Sequence, residues 1–568
     1  MKFFNFVSKI LLYTFILLGI CNSSYSKIND FNYDAKNISN YFSGIVSFSD
    51  FDYTDSYKFF KKINHFEIVN ENYSSKLIQS LVNLEKYHEA YLYAKKMEKE
   101  NLSNFESNLL LGLSEFKKDN YIRAEFYFDK LEPNFENKLI FGLLKKSLNN
   151  WLEIAKSKDK KNIKLIEEMS SNYNNFALIQ KAFASCHFDT GSTEKEFQNI
   201  IKNEEQNFSR YHFFFANYFF NKNNILGAKK VVRNALQVYP GNLLIKQFEK
   251  TLNSEEKNKN EFNCKDTKDI VAEIFYVIAN ALSSTGNYGL SNFYINLSKY
   301  LNPKFLSFES LIGENFLVLK KYDNAKIIYK KLSGIGSVYK WYSSKQIANI
   351  LRIQNKKEEA ISFLSKIYYK NTNPNVYQTY DLGNYLRNDE KYEESIKLYS
   401  TVLSKIEEDH PLYPKVLDRR GMAYERMKNW NLAEKDLLNS LEIFPNEPYV
   451  MNYLAYSWVE RGENINKALN MLKKANNLKK NDGYITDSLG WALYKLRNFS
   501  EAKKYLQMAI TIMPDDPVVN DHFADCLWMN NKKIQARYYW NYVLNLESAE
   551  SELKKTVEKK LLFGLEKI

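Results

Sequence analysis

One spacing recurs along this chain and constrains its fold more than any other feature. In the stretch DSLGWALYKLRNFSEAKKYLQMAITIMP, Gly490 and Ala502 lie among large apolar residues in what reads as two consecutive helices. Glycine inside a helix costs about 1 kcal/mol relative to alanine, so its presence there needs a reason. The same small residues recur 34 residues later as Ala524 and Ala536. A period of this length predicts helix pairs whose backbones approach closely at small residues.

The register extends far upstream. We call the first small residue of each pair the anchor; the second small residue lies on the partner helix of the same repeat. The predicted packing pairs are Gly112 and Ala124, Ala216 and Ala228, Gly313 and Ala325, Gly421 and Ala433, Ala455 and Ala468, Gly490 and Ala502, and Ala524 and Ala536. Further anchors with the companion pattern are Gly44, Ile78, Ala279, Ala348 and Gly383. We therefore expect an all-α chain of about twelve repeats.

These offsets resemble the tetratricopeptide repeat (TPR), whose pattern runs W-x2-L-G-x2-Y, then A-x3-F, then P. The resemblance implies a right-handed α-solenoid of helix pairs, with the first helices lining a concave groove. The stretches NYLAYSWVERG, DGYITDSLGWALYKL and DDPVVNDHFADCLW are similar to exported bacterial TPR proteins of the alphaproteobacterial type. Related envelope lipoproteins act as adaptors for periplasmic proteases. The resemblance thus implies a non-enzymatic scaffold whose partner is a protein or peptide, such as a periplasmic protease or an envelope complex.

Two segments depart from the repeat pattern. Between 138 and 207 the spacing can be placed on Leu148 and Ala182, but the companion residues fit poorly, so the register there stays open. The step from Ala216 to Ala279 is 63 residues and contains a polar stretch, predicted as a linker or loop. The predicted order is a signal peptide at 1–26, an N-terminal array at 27–250, the linker at 251–270, a C-terminal array at 271–547 and a capping helix at 548–568.

The first residues predict export. Lys2 and Lys9 flank the start of an apolar run that ends in small residues, as in a secretory signal peptide cleaved after Ser26. The expected location is the periplasm. Cys21 leaves an alternative open, a lipidated form anchored at the outer membrane, although Ile20 is larger than the residue that usually precedes a lipidated cysteine.

The remaining chemistry indicates no enzyme, and a hydrolase stays open only if the segment at 138–207 contains a site. The net charge is +13, but lysines and glutamates are interspersed along helical faces, so we expect no nucleic-acid partner. The sequence lacks phosphate-binding, zinc-protease and serine-hydrolase motifs. DTGS, at 189–192, falls in a turn between helices, where we expect Gly191 to supply backbone freedom. No cofactor is expected.

Cysteine and histidine usage predicts no metal site. Cys186, Cys264 and Cys526 are widely separated, and we expect isolated, mostly buried thiols. His522 and Cys526 lie one helical turn apart, as a metal pair would, but Cys526 falls between packing positions. We therefore expect a partly buried, hydrogen-bonded histidine.

The last three repeats supply the candidate groove. At three positions relative to the anchor, polar and aromatic residues form columns along the first helices. Three residues before the anchor lie Asn452, Asp487 and Asp521; one residue after it lie Tyr456, Trp491 and Asp525; four residues after it lie Val459, Tyr494 and Trp528. Carboxylates and large aromatics are the groups that bind peptides best. Two alternatives stay open: these residues only join neighbouring repeats, or the aromatics stack on sugars in envelope polysaccharide or peptidoglycan assembly.

Overall fold

The computed structural model describes residues 35–63, 71–132, 138–157, 159–168, 174–202 and 207–565. The predicted signal peptide at 1–26 and Cys21 lie outside these residues. The chain divides between Ile347 and Ala348 into two compact units, which we call unit 1 and unit 2. The described residues contain thirty α-helices and no strand, so the predicted all-α helical repeat fold is confirmed.

Unit 1 contains seventeen helices and the start of an eighteenth. They are α1 (Ala35–Ser49), α2 (Tyr53–Phe60), α3 (Glu71–Asn83), α4 (Tyr87–Lys99), α5 (Phe105–Lys117), α6 (Tyr121–Asp129), α7 (Lys138–Ser157), α8 (Ile163–Glu167), α9 (Asn174–His187), α10 (Thr193–Ile201), α11 (Ser209–Asn221), α12 (Ile225–Val238), α13 (Leu243–Leu252), α14 (Thr267–Ser284), α15 (Tyr288–Leu301), α16 (Glu309–Val318), α17 (Tyr322–Leu332) and α18 (Ser337–Ile353).

Unit 2 contains twelve further helices, which alternate between the second and the first helix of successive repeats. They are α19 (Lys357–Lys370), α20 (Val376–Asn388), α21 (Tyr392–Leu403), α22 (Tyr413–Arg426), α23 (Trp430–Ile443), α24 (Pro448–Arg461), α25 (Ile465–Leu478), α26 (Gly483–Lys495), α27 (Phe499–Ile512), α28 (Pro517–Met529), α29 (Lys533–Asn545) and the capping helix α30 (Ser551–Phe563). Within the described residues, none of these helices is both long and apolar enough to cross a membrane.

The anchors lie where paired helices approach most closely. A Cβ added to Gly490 would lie 2.7 Å from Cγ and 3.0 Å from the backbone nitrogen of Leu506, on the second helix of the same repeat. Ala502, on that helix, is fully buried. The same contact, with the residue sixteen positions after the glycine, recurs at Gly313 and Gly421. The small residues are therefore required because a larger side chain would separate the two helices.

A second regularity fixes the register. Seven residues after each anchor, the chain adopts a left-handed backbone conformation that turns the first helix into the second. These residues are Phe51, Glu85, Asp119, Asp189, Asn223, Gly286, Lys320, Asn355, Glu390, Lys428, Gly462, Arg497 and Asn531. Asp189 corresponds to an anchor at Ala182, so one repeat of the uncertain segment is in register. Leu148 is not an anchor, because α7 continues past it without a break.

The DTGS turn is built differently from our expectation. Asp189, with φ of 52°, adopts the left-handed conformation, whereas Gly191 does not. Aspartate tolerates this region because its short side chain can bond locally. In the equivalent turn of a later repeat, Gly286 does adopt it, with φ of 82°.

The 63-residue step in unit 1 is a packed structure. After α13 the chain runs as an irregular segment that ends at α14, and Cys264 within it forms a disulfide with Cys186 on α9. The expectation of isolated thiols is therefore wrong for this pair, because the fold brings together residues that are 78 positions apart. The segment at 251–270 is thus attached to helices on its N-terminal side, and the chain divides into its compact units later, after Ile347.

A charged pair links α11 with α14 across the same insertion. The Arg210 guanidinium donates from Nε and Nη2 to both oxygens of Glu273, at 2.7 and 2.8 Å. Glu273 is fully buried, and Arg210 also stacks over the Tyr276 ring at 3.8 Å. The bidentate contact with Arg210 opposes the desolvation of Glu273, but burial is the larger effect and the pKa of Glu273 is raised.

The N-terminal helices of unit 1 are covered by its own later helices. Asn296 on α15 donates to Asn83 at 3.1 Å and accepts a hydrogen bond from Tyr87 at 2.9 Å. Lys268 on α14 pairs with Asp119 at 2.9 Å. Lys117, at the end of α5, donates to the backbone carbonyl of Tyr300 on α15, and no residue of α5 from Phe105 to Phe116 is exposed. The helices α3 to α5 therefore pack against later helices of the same unit.

Candidate functional site

A column of polar side chains follows the first helices of unit 2. It occupies the position three residues before the anchor, and we call it the acceptor column. Its members are Asp418 on α22, Asn452 on α24, Asp487 on α26 and Asp521 on α28. Asp418 was missed in the sequence, although it lies three residues before Gly421 and so carries the same signal. The four side chains differ in what they contact.

The last member is closed by the capping helix. Lys560 on α30 places its ammonium within 2.8 to 2.9 Å of both carboxylates of Asp521 and Asp525. Trp540 also donates its indole N–H to Asp525 at 2.9 Å. Burial and the neighbouring Asp521 raise the pKa of Asp525 to about 6, although Lys560 opposes this shift. This end of the column is therefore already occupied by a cation from the same chain.

One of the two carboxylate oxygens of Asp487 is bonded to a residue of the next repeat. Its Oδ2 lies 2.8 Å from Nδ1 of His522, and both side chains are buried. The His522 ring stacks on Trp491 with centroids 3.9 Å apart, and Trp491 stacks on Tyr494 at 4.6 Å. Burial alone would lower the pKa of His522, but the carboxylates of Asp487, Asp521 and Asp525 outweigh it, so the pKa is raised.

The predicted groove residues thus make many contacts between repeats. Asp487, Trp491, Tyr494, Asp521 and Asp525 are buried. Asn452, Tyr456 and Trp528 are half-buried, and Trp528 packs against Trp540 and against Gly564 after the capping helix. These contacts are the ones expected from residues that join repeats. Their role in holding a partner stays a prediction.

Three members of the column keep an oxygen without a hydrogen-bond partner. Oδ1 of Asp418, Oδ1 of Asn452 and Oδ1 of Asp487 are each buried and unbonded. A buried acceptor of this kind costs roughly 1–3 kcal/mol. These three oxygens lie at one register position in three consecutive repeats.

A cavity of about 820 Å³ opens beside Asp418. Its wall includes the connection between α21 and α22, at 404–412, which has nine residues where the connections before α24, α26 and α28 have four. The sequence carries this signal as a step of 38 residues from Gly383 to Gly421. Burial raises the pKa of Asp418 to about 6, with Glu447 adding to the shift and Arg419 and Arg387 opposing it.

A second column of unit 2 is exposed. It lies six residues before the anchor and contains Tyr377, Tyr449 and Tyr484, which are 44%, 49% and 59% exposed. Tyr449 donates its hydroxyl to Asp482 at 3.2 Å. Exposed tyrosines in a repeating position offer large contact area at a small entropic cost. We did not predict them, although they share one offset from the anchors.

His522 and Cys526, which have the spacing of a metal-binding pair, contact other groups of the chain. His522 bonds with Asp487, and the Cys526 sulfur lies 3.5 Å from the carbonyl of Phe499. Burial raises the pKa of the Cys526 thiol to about 12, so it is protonated at neutral pH. Among the residues described by the structure, no three His, Cys, Asp or Glu side chains are grouped to hold a metal ion.

A cavity of about 810 Å³ in unit 1 lies beside the disulfide. Its amide side chains are engaged by the chain: Asn217 and Asn221 both donate to the carbonyl of Phe262. Burial raises the pKa of Asp269 to about 7, while its carboxylate accepts a hydrogen bond from the backbone N–H of Asn263. These groups hold the irregular segment in place.

Comparison with known proteins finds similarity over part of the chain. No protein-family model matches. A TPR repeat-containing protein of Pseudomonas aeruginosa is 30% identical over 116 residues, which span only 20% of this chain and 20% of that protein.

Among solved structures, a TPR protein of Parabacteroides merdae gives a TM-score of 0.37 at 14% identity, covering 44% of this chain and 97% of its own. A chain of an APC/C hetero-tetramer gives 0.38 at 15% identity, covering 93% and 97%. A Thermus thermophilus TPR protein gives 0.29 at 16% identity, covering 33% and 100%. At TM-scores this low the likenesses carry no further argument. The helices themselves show an all-α helical repeat fold, and the sequence similarity to a TPR protein is limited to the 116 residues matched in the Pseudomonas protein.

Proposed function

We propose that this chain is a non-enzymatic scaffold or adaptor of the bacterial cell envelope, and that the acceptor column of unit 2 binds a partner protein. One observation carries the proposal: Asp418, Asn452 and Asp487 each keep a buried, unbonded acceptor oxygen at the same position of consecutive repeats. A partner segment with several donors would satisfy them together.

A polypeptide suits this surface better than a small ligand. The acceptors repeat from helix to helix, so a chain lying across the helices meets one at each step. The exposed Tyr449 and Tyr484 flank the column and add the aromatic contact area typical of protein interfaces. Because the helix pairs are already ordered, binding would cost little receptor entropy. In unit 1, α14 and α15 already contact α3, α4 and the turn after α5, which favours unit 2.

Two features support export to the periplasm. The first residues have the pattern of a signal peptide, and the disulfide between Cys186 and Cys264 belongs to an oxidising compartment. Fractionation followed by mass measurement of the N-terminus tests this. A periplasmic chain that begins at Lys27 supports cleavage, whereas one that begins at a lipidated Cys21 supports the membrane-anchored alternative. A cytoplasmic chain with its first residues intact would contradict both.

In vivo photo-crosslinking tests the binding surface. A photoreactive amino acid replaces Tyr449 or Tyr484, and Tyr538 on the second helix α29, 67% exposed, serves as the matched control. We expect one protein to be captured from both column positions and not from the control. Equal capture from all three positions, or glycan in place of protein, would refute a protein-binding column.

A further inference from the structure

We propose that the cavity beside Asp418 receives the side chain of a lysine or arginine from the partner segment, with an apolar partner residue resting on Phe444. This inference rests on the proposed function and specifies the chemistry of the partner. It follows from the burial of one carboxylate, the charges of the cavity wall, the apolar edge and a contact made inside the same molecule.

Asp418 lines the cavity with an incompletely compensated charge. The residue is only 7% exposed, and its Oδ1 has no hydrogen-bond partner. The nearest ion-pair partner is Nη1 of Arg419, at 3.6 Å, beyond hydrogen-bond distance. That same Nη1 lies 3.5 Å from the sulfur of Met422. A buried carboxylate in this state is stabilised by any cation that reaches it.

The remaining charges of the wall favour a cation over an anion. The cavity is lined by four carboxylates and two basic side chains, which are Glu408, Asp409, Asp418 and Glu447 against Lys415 and Arg419. Arg387, whose Nη1 lies 3.5 Å from the sulfur of the wall residue Met422, adds a third positive charge near Asp418. The remaining excess of one negative charge would attract a basic group and repel an acidic one. His410 also lines the cavity, and its Nδ1 accepts a hydrogen bond from the backbone N–H of Leu412 at 3.1 Å.

The edge of the cavity is apolar and exposed. Ile443, Phe444 and Tyr449 line it and are 38%, 53% and 49% exposed. Such a surface covers the aliphatic part of a lysine or arginine and an apolar neighbour in the sequence. The preferred segment therefore combines a basic residue with an aliphatic or aromatic one.

The chain itself shows that this register position accepts a cation. Asp521, at the equivalent position of the last repeat, is bound by the ammonium of Lys560 at 2.8 Å. Asp487, one repeat earlier, is bound by His522. In the last repeat a lysine of the capping helix fills the position, whereas at Asp418 the nearest cation, Nη1 of Arg419, stays 3.6 Å away. A partner lysine would make the contact that Lys560 makes internally.

Selection of random linear peptides on the whole exported chain tests the inference. We expect the selected peptides to share a lysine or arginine beside an apolar residue. Fluorescence anisotropy should show that the isosteric change Asp418→Asn weakens binding about tenfold or more, since a charge-assisted bond is lost. Acetylation of the peptide lysine should weaken binding to a similar extent.

Two further variants keep the test decisive. Phe444→Ala removes an exposed side chain and should also weaken binding, so the outcome does not depend on folding of the Asp418 variant. Glu442→Gln removes the same charge from an exposed site outside the cavity and should leave binding unchanged. Peptides that need Asp487 or Tyr484 but carry no basic residue would overturn the inference and leave the proposed function intact. If no selected peptide depends on any residue of unit 2, both are overturned.

Discussion

The Nδ1 atom of His522 lies 2.8 Å from a carboxylate oxygen of Asp487, one repeat earlier in the chain. The contact joins the first helices of two consecutive repeats inside a buried aromatic stack. It also leaves the second oxygen of Asp487 unbonded, so the same carboxylate serves both the fold and the candidate site.

This pair should make the stability of unit 2 depend on pH. The pKa of His522 is raised in the folded state, so its contribution is fully present below the unfolded pKa and is lost as pH rises through the folded value. Asp521 and Asp525 also face the ring, but Asp525, with a pKa of about 6, titrates lower. Denaturant midpoints should fall from about pH 6.5 upwards. A His522→Gln variant that keeps the same fall in that range would contradict this assignment.

Lys560 should hold the end of unit 2 together. In Lys560→Met, the buried carboxylates of Asp521 and Asp525 lose their shared cation, and we expect a loss of about 3–5 kcal/mol in the free energy of unfolding. Lys559→Met, at an exposed neighbouring position, is the control and should change little. Chemical denaturation measures both. Equal stability of the two variants would show that the ion pairs are not maintained in solution.

The disulfide should be detectable by thiol counting. If the chain is cleaved after Ser26 as proposed, it keeps Cys186, Cys264 and Cys526, so alkylation in denaturant without reductant should modify one thiol, and with reductant three. Cys264→Ser with Cys186→Ser should lower the free energy of unfolding of unit 1 by about 2–5 kcal/mol. Three reactive thiols before reduction would exclude the bond.

Gly490 should resist replacement by alanine although alanine favours helices. The added Cβ would collide with Leu506, including its backbone, so Gly490→Ala should destabilise unit 2 by about 1–3 kcal/mol. Gly142→Ala provides the matched control, since Gly142 lies in a helix with nothing within 4 Å of the added atom. That change should be neutral or stabilise by up to about 1 kcal/mol. Stabilisation at Gly490 would refute the close helix approach.

The repeats could be predicted because their signals are local. Twelve of the thirteen anchors are Gly or Ala because two helices touch there, Ile78 being the exception, and the left-handed residue seven positions later marks the same turn even at Asp189. The disulfide, the Arg210–Glu273 pair and the covering of α3 by α15 join residues far apart in the chain, which a repeat pattern does not relate. Asp418 shares the offset of the predicted column but lies one repeat before it. The exposed tyrosines share an offset, six residues before the anchor, that the predicted columns do not include.

Hydrogen exchange with and without the captured partner tests the central claim most directly. If a protein segment lies along the acceptor column, amides in the first helices α22, α24 and α26 should exchange more slowly in the complex, and Asp418→Asn should weaken that protection. Protection confined to the second helices α23, α25 and α27, or to unit 1, would contradict the claim that the acceptor column binds the partner.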